Sequence, residues 1–511
     1  MTQPTAALDR KSKMKIPHQP IAQRPVAERV RDFDEIYIEY TPEQAITEAS
    51  RCLLCPDPKC VEACPLHNNI PEAMQKIAQG DFLGAAAIYH QTSPFPEICS
   101  RVCPHERLCE GACVVGKRGE PIACGHLEVF VTDYERAQHG IPIPPGGLRT
   151  GYRVAIVGAG PASLACAQKL NEFGHTVDVF EALPEAGGLL MYGIPRFKLS
   201  RSVVSARIAA VERSSVSIFR LKRIGRDLTI DELLSIYDAV FIATGTLIDK
   251  PVKTPGDDLQ GIYNATDFLI RGNLDTALWP APEKGPLVVG QKVAVIGGGD
   301  TAMDCLRTAL RIGAQAVTCL YRRTEAEMPG NARERKNAIA EGARFEYLVA
   351  PVKFLGDGNG HVRTVVCLRM ELGEPDSSGR RRPVPVPGSE FEFEADTVVL
   401  ALGYEGDPLI PESTPGLTTK WNLIQADPAT GQTSRAGVFA GGDVVTGPDL
   451  VSTAAASGLR AAAAIDQYLK RLPRGEERVA IEEAQRAIQS AFEWWRPSPR
   501  RAYSQAKGED T

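Results

Sequence analysis

Val154-Ala-Ile-Val-Gly158-Ala-Gly160-Pro-Ala-Ser163 decides the fold, because the chain repeats the pattern as Val293-Ala-Val-Ile-Gly297-Gly-Gly299-Asp300-Thr301-Ala302. In both places an apolar run of strand length meets a glycine and a helical pattern follows at once. The first glycine allows the tight turn, and the second lets the backbone approach a pyrophosphate. A small residue at the third position, Ser163 or Ala302, lets helix and strand pack closely. Free N–H groups and the dipole at the helix start favour negative charge there. Each half later carries an apolar strand ending in glycine, Asp238-Ala-Val-Phe-Ile-Ala-Thr-Gly245 and Asp396-Thr-Val-Val-Leu-Ala-Leu-Gly403. One such match is a weak signal. Two, each between a strand and a helix, predict an α/β fold with two Rossmann-like dinucleotide-binding units.

What each unit binds is read about 20 residues further on. Thr176-Val-Asp-Val-Phe-Glu181 ends in an acid, 23 positions after Gly158. A carboxylate there bonds ribose hydroxyls and repels a 2′-phosphate, so the first unit suits FAD or NAD. Glu185-Ala-Gly-Gly188-Leu189-Leu-Met-Tyr-Gly-Ile-Pro195 is a glycine-rich apolar loop suited to an isoalloxazine ring. Gly441-Gly-Asp443, followed by an alanine-rich helical pattern, places an acid for the ribityl or pyrophosphate region. These two features favour FAD; the plainer, lesser reading of Asp443 is a helix cap. In the second unit Thr318-Cys-Leu-Tyr-Arg322-Arg323 puts two cations where the acid would stand. Arginine forks grip phosphate, so this unit suits NADPH; the plainer reading is a solvated pair at a strand end.

Nine of the chain's 13 cysteines lie between Cys52 and Cys124, spaced Cys52-x2-Cys55-x4-Cys60-x3-Cys64-Pro65 and Cys99-x3-Cys103-Pro104-x4-Cys109-x3-Cys113. Cys-Pro endings mark bacterial ferredoxin runs, and eight thiolates are enough for two four-iron clusters. Structural zinc is the alternative, but zinc motifs repeat a short spacing, and only one Cys-x2-Cys occurs here. Thr41-Pro42-Glu43-Gln44 starts a helix with Thr41 as N-cap, and a second helical stretch, Ile70 to Tyr89, separates the cysteine blocks. Together they predict a small all-α iron–sulfur domain ahead of the α/β units.

The 511 residues allow about three domains. A hydrophobic share of 43% and a charged share of 24% fit packed cores, and a net charge of −5 lacks the basic footprint of nucleic-acid binding. No apolar run approaches the roughly 18 residues of a membrane span. Residues Met1 to Lys15 show no secretory pattern, and unpaired cysteines suit a reducing compartment, so a cytoplasmic location is expected. The first 40 or so residues read as extended on a surface, Ile141 to Gly147 as a linker, and the tail beyond Pro473 as charged, with an amphipathic helix around Ile481 to Trp495.

From Cys52 to about Leu469 the chain resembles the small (β) subunit of NADPH-dependent glutamate synthase, and is similar to the N-terminal region of dihydropyrimidine dehydrogenase. The resemblance rests on the cysteine blocks and Gly158-Ala-Gly-Pro-Ala. It rests equally on Gly188-Leu-Leu-Met-Tyr-Gly-Ile-Pro, Gly297-Gly-Gly-Asp-Thr-Ala-Met-Asp304, Tyr-Arg-Arg323 and Gly-Gly-Asp443. It implies a helical domain with two [4Fe-4S] clusters (1–148), an FAD domain in two parts (149–287 and 404–470) interrupted by an NADPH domain (288–403), and a C-terminal extension (471–511). It also implies one cluster on Cys52, Cys55, Cys60 and Cys113, and another on Cys64, Cys103, Cys109 and Glu128. That leaves Cys99 and Cys124 as bystanders, although counting thiols alone would make Cys99 a ligand. Asp449-Leu-Val-Ser-Thr-Ala-Ala-Ala-Ser-Gly458 is plainer than the family's usual continuation.

The implied function is electron input to glutamate synthase. NADPH is oxidised through FAD, and single electrons pass through the clusters to a large FMN-containing subunit that makes glutamate from glutamine and 2-oxoglutarate. That implies a hetero-oligomer. The same motifs would serve the reductase arm of a pyrimidine reductase, a transhydrogenase or a ferredoxin reductase, or, more distantly, a non-enzymatic redox sensor. Disulfide reduction would need Cys-x-x-Cys beside the flavin, and Cys166, Cys305, Cys319 and Cys367 stand singly.

Overall fold

The computed structural model describes residues 9–251, 253–280, 285, 287–376 and 379–472. The expected tail helix at 481–495 lies outside them. Strand Arg153–Val157 is the middle of a five-stranded parallel sheet, flanked by Thr176–Phe180 and Ser217–Phe219 on one side and by Ala239–Ile242 and Val438–Ala440 on the other. The second sheet repeats this order: Ala316–Tyr321 and Arg344–Tyr347 lie on one side of Lys292–Ile296, Thr397–Leu400 and Ile262–Asn264 on the other. Both faces of these sheets are covered, which is why the central strands Arg153–Val157, Ala239–Ile242, Lys292–Ile296 and Thr397–Leu400 are buried along nearly their whole length, while the edge strand Arg344–Tyr347 alternates.

The sheets also show how the units interleave. Val438–Ala440, which completes the first sheet, comes after the whole second unit in sequence, so the first unit is interrupted by the second. The second sheet takes its edge strand from Ile262–Asn264, paired Ile262 to Val398. That strand lies upstream of the boundary expected at 287/288. Two crossings between the units pair antiparallel as Ile248–Asp249 with Tyr404–Glu405, and, between Ile262–Asn264 and Lys292–Ile296, Leu274 and Trp279 return to the core of the first unit. An antiparallel sheet of Val349–Gly356, Val362–Pro375, Arg381–Pro385 and Phe391–Glu394 was not anticipated. It covers the second sheet by packing Phe354, Val365 and Cys367 near Ile296, Leu320 and Leu400.

The N-terminal unit is helical. Pro42–Ser50 begins with a reciprocal capping box, in which Gln44 N–H donates to Thr41 Oγ1 and Thr41 N–H donates to Gln44 Oε1. Its end delivers Cys52, whose N–H donates to the Ala49 carbonyl. The stretch expected as one helix from Ile70 to Tyr89 is two, Ile70–Ala78 and Phe82–His90. Gly80 takes φ of +76° between them, and Asp81 caps the second helix through Gly84 N–H.

Residues 9–40 are not merely laid on a surface. Arg29 is only 1% exposed and pairs with Glu341, 3.1 Å away in the second nucleotide unit. Gln23 and Tyr37 both bond Asn337. Glu35 accepts from Arg101 of the helical unit and from the Ser200 N–H of the first nucleotide unit. The segment therefore straps all three units together, because its charges find partners that only a seam between units supplies. Glu341 also accepts from Arg307 and Arg311. Replacing it with leucine would leave three buried guanidinium groups short of a carboxylate, at a cost of about 3–5 kcal/mol. Thermal unfolding of Glu341→Leu should show the lower midpoint; an unchanged midpoint would mean the strap adds nothing.

Candidate functional site

At the end of strand Arg153–Val157 the chain turns through Gly158 at φ +92°, where a Cβ would sit 2.6 Å from the Ala243 carbonyl oxygen. Only glycine fits between the two strand ends. Gly160 caps helix Pro161–Glu172 and faces open space, which is the cradle a pyrophosphate needs against the free N–H groups of the first turn. Ser163 is buried and donates to the Ala243 carbonyl. Glu181 accepts from Ala159 N–H and Leu183 N–H, both at 2.8 Å, so it ties the glycine loop to the strand end. Burial raises its carboxyl, and those backbone donors oppose the rise.

A cleft of about 290 Å³ runs from this loop past Gly188, Leu189 and Gly245 to Gly442 and Asp443. Asp443 is the first residue of a short helix rather than its cap; Gly442, at φ +72°, holds the cap position. Burial lifts the Asp443 carboxyl to about 7, against the pull of a hydrogen bond from Asp449 N–H. Helix Val451–Leu469 then packs on Pro161–Glu172, with Gly458 against the Ala162 carbonyl, too close for any Cβ. That contact accounts for the plain, alanine-rich sequence after Asp449.

The second glycine turn repeats the geometry. Gly297 has φ +146° with no room for a Cβ beside Ala401, Gly298 lies under the Tyr321 ring, and Gly299 faces open space. Asp300 accepts from Asn331 N–H, and Thr301 lies 3.4 Å from the Tyr404 hydroxyl. With Ala302 buried behind them, these residues open onto a cleft of about 1010 Å³ that includes Arg322 and Arg323. The two arginines behave differently. Arg322 is exposed at the cleft, whereas Arg323 is buried and spends its fork on Asp376 (2.8 Å) and the Arg381 carbonyl (2.7 Å). Arg323 thus anchors the antiparallel sheet, a partner that the local sequence at 318–323 does not reveal. Lys250 and Arg380 line the same cleft and carry no motif of their own.

The cysteines form two neighbourhoods. The Cys60 thiol is pushed up to about 12 by burial and then by Cys52, Cys113 and Cys109; the Cys52 thiol rises to about 11 through burial and its neighbours Cys113 and Cys55. The Cys64 thiol, also near 12, is raised by burial and feels Glu128 and Cys109. Burial, Cys103 and Glu97 hold the Glu128 carboxyl well above the usual carboxylate range. Cys99 and Cys124 are buried, and neighbouring Cys103 and Cys109 respectively hold their thiols well above the usual range. Among the described residues no three His, Cys, Asp or Glu side chains close on one metal ion. Buried thiols this crowded are costly to ionise without a metal core to offset the charge, so the donor set fits clusters.

The neighbourhoods meet the clefts. Cys103 packs against the core that includes Ala454 and Ala455 of the long helix beside the first cleft. A central cavity of about 240 Å³ is lined by Cys103, Leu189, Thr301, Asp449 and Leu450 among others. Asp449 and Leu450 line all three cavities; neither belongs to a recognisable motif. Truncating Arg322 to alanine should raise the KM for NADPH about 10- to 100-fold while leaving that for NADH unchanged, the loss of one charge-assisted phosphate contact. Steady-state kinetics with both nucleotides would check this; equal losses with both would remove Arg322 from the phosphate site.

Known proteins match this arrangement. Residues 29–140 match the family described as dihydropyrimidine dehydrogenase domain II, 4Fe-4S cluster, and residues 152–458 match pyridine nucleotide-disulphide oxidoreductase. The small chain of NADPH glutamate synthase from Escherichia coli is 41% identical, over 88% of this chain and 96% of that one. The putative oxidoreductase AegA of the same organism is 44% identical, over 86% of this chain and 68% of its own length. The structure of Mycobacterium tuberculosis FprA in complex with NADPH shares the fold, with a TM-score of 0.54 and 22% identity over 66% of this chain and 90% of that one. Among the described residues no helix is long and apolar enough to cross a membrane. The chain belongs to the family of the glutamate synthase small chain, as an NADPH-dependent oxidoreductase with FAD and [4Fe-4S] cofactors.

Proposed function

We propose that this chain is the electron-input arm of a larger reductase, and that its partner is the large FMN-containing subunit of glutamate synthase. In this reading FAD occupies the first cleft, NADPH the second, and two clusters the cysteine neighbourhoods. One cluster is held by Cys52, Cys55, Cys60 and Cys113, the other by Cys64, Cys103, Cys109 and Glu128. When bound, the nicotinamide and flavin supply the hydride chemistry and the clusters carry the electrons singly. The protein binds, orients and shields. Gly160 and Gly299 present helix N-termini to the two pyrophosphates, Glu181 and Arg322 distinguish the two riboses, and Leu189 and Leu450 keep water from the place where the rings meet.

The observation that carries this reading is the convergence at Asp449 and Leu450, where both nucleotide clefts and the central cavity beside Cys103 share a wall. Cys103, packed against the core that Ala454 and Ala455 share, brings one cysteine neighbourhood against the helix that closes the flavin cleft. A relay needs such proximity, whereas a sensor would not need the NADPH cleft.

Anaerobic affinity purification from the native host tests the partner. A stoichiometric FMN-containing large subunit, forming glutamate from glutamine, 2-oxoglutarate and NADPH, is expected. A ferredoxin or another flavoprotein in its place would reassign the chain to the reductase arm of a different complex. For the ligand set, Cys60→Ala should lower iron content by about half while FAD content stays at the wild-type level, as iron and flavin analyses would show. Unchanged iron would remove Cys60 from the ligands.

A further inference from the structure

Two of the chain's crossings between the nucleotide units pair as Ile248–Asp249 with Tyr404–Glu405. A two-stranded ribbon this short is weak by itself. It fixes the separation of two bodies better than their rotation about it, so a contact away from the ribbon has to set the angle between the clefts. Phe197 and Lys198 make such a contact, in addition to Leu274 and Trp279, which pack into the core of the first unit. Lys198 Nζ lies 3.0 Å from Asp304 and 3.7 Å from Glu334. Phe197 is fully buried, with the guanidinium groups of Arg307 and Arg311 over its ring at 4.4 and 4.0 Å. Arg307 in turn bonds Glu334 and Glu341.

The position of this contact in the chain gives it consequence. Asp304, Arg307 and Arg311 belong to helix Asp300–Arg311, whose first residues Asp300 and Thr301 line both the NADPH cleft and the central cavity. Asp304 is one helical turn from Asp300. On the other side, Phe197 and Lys198 end the segment that begins at Leu189, which lines both the flavin cleft and the central cavity. A shift at the contact is therefore passed to both reacting surfaces across one helical turn and one short loop. An ion pair buried here also has a single satisfactory geometry, since sliding it leaves a charge unpaired; an apolar contact would tolerate the slide.

We propose that Lys198 and Phe197 are positioning residues, which by docking on Asp304, Arg307 and Arg311 set the distance and angle at which bound nicotinamide meets flavin. The inference rests on NADPH reducing FAD in this chain. Rates of such transfers depend steeply on sub-ångström placement, so a loosened contact should slow transfer without weakening nucleotide binding.

The test uses the full-length holoprotein under anaerobic conditions. If NADPH fails to bleach the wild-type flavin, the NADPH–FAD reading itself falls, independently of Lys198. If it bleaches, the double substitution Lys198→Met with Asp304→Leu removes both charges together, so that neither remains buried alone, and Phe197→Leu removes the ring separately. FAD and iron content at wild-type levels are expected, with half-saturating NADPH within about twofold. The limiting rate of flavin bleaching should fall about tenfold or more. The long-wavelength absorbance of NADP+ stacked on photoreduced flavin should weaken in parallel, and Lys198→Arg should restore most of both. A double variant that keeps the wild-type rate and absorbance overturns the proposal. Should the double variant lose FAD, Phe197→Leu decides by the same measurements. Loss of FAD in both overturns the proposal as well, because the contact would then hold the fold and not the register.

Discussion

At Gly158 and Gly297 the chain turns from strand to helix at φ of +92° and +146°, with the carbonyls of Ala243 and Ala401 where a side chain would begin. Each turn brings a helix N-terminus over the end of its own sheet. It also sets the neighbouring strand's exit, Ala243 to Gly245 or Ala401 to Gly403, directly beside the loop. The clefts exist because of that proximity. Gly442 against Ala162 and Gly458 against the Ala162 carbonyl extend the same constraint to the long closing helix. It can lie on Pro161–Glu172 only with small residues at the contact, and so brings Asp449 and Leu450 to the meeting point of the cavities.

This explains what could be read from the sequence. Backbone constraints leave local marks: the paired glycine patterns and the Thr41 N-cap each specify a structure within a few residues, and each stands at the helix start expected. Asp449 and Leu450 leave no such mark, because their importance comes from three surfaces converging on them. Arg323 is a sharper case. Beside Arg322 it reads as half of a phosphate clamp, yet in strand Ala316–Tyr321 successive side chains leave on opposite faces. Just beyond its end, Arg322 opens to the cleft while Arg323 turns to Asp376 in a sheet formed 53 residues later. The helix break at Gly80 and Asp81 was visible as a turn signal, but the apolar pattern continues across it.

The N-terminal strap differs from the surface segment its sequence suggests for a related reason. Proline and charge density describe how a segment behaves alone in water, and residues 9–40 do not fold alone. Their polarity matches the seam they enter, where Arg29, Arg307 and Arg311 surround Glu341, and Arg101 meets Glu35 and Asp133. Burying so many charges is a poor way to gain stability, since desolvation offsets most of the Coulomb attraction and an apolar seam of equal volume would be as stable or more so.

What a charged seam provides is selectivity among arrangements. Three units joined by a linker and a short ribbon could pack apolar faces in several nearly equivalent ways, each with its own spacing between nicotinamide, flavin and cluster. With guanidinium and carboxylate groups in the seam, the alternatives leave ions buried without partners, and one arrangement stands apart from the rest. Electron and hydride transfer are both steep functions of distance, so a fold that carries them gains more from a unique geometry than from additional stability. The same logic accounts for Lys198 and Asp304 lying beside the network that the strap enters, where Phe33 meets Phe197 and Arg29 shares Glu341 with Arg307 and Arg311: fixing the relative position of rigid bodies needs contacts away from the hinge.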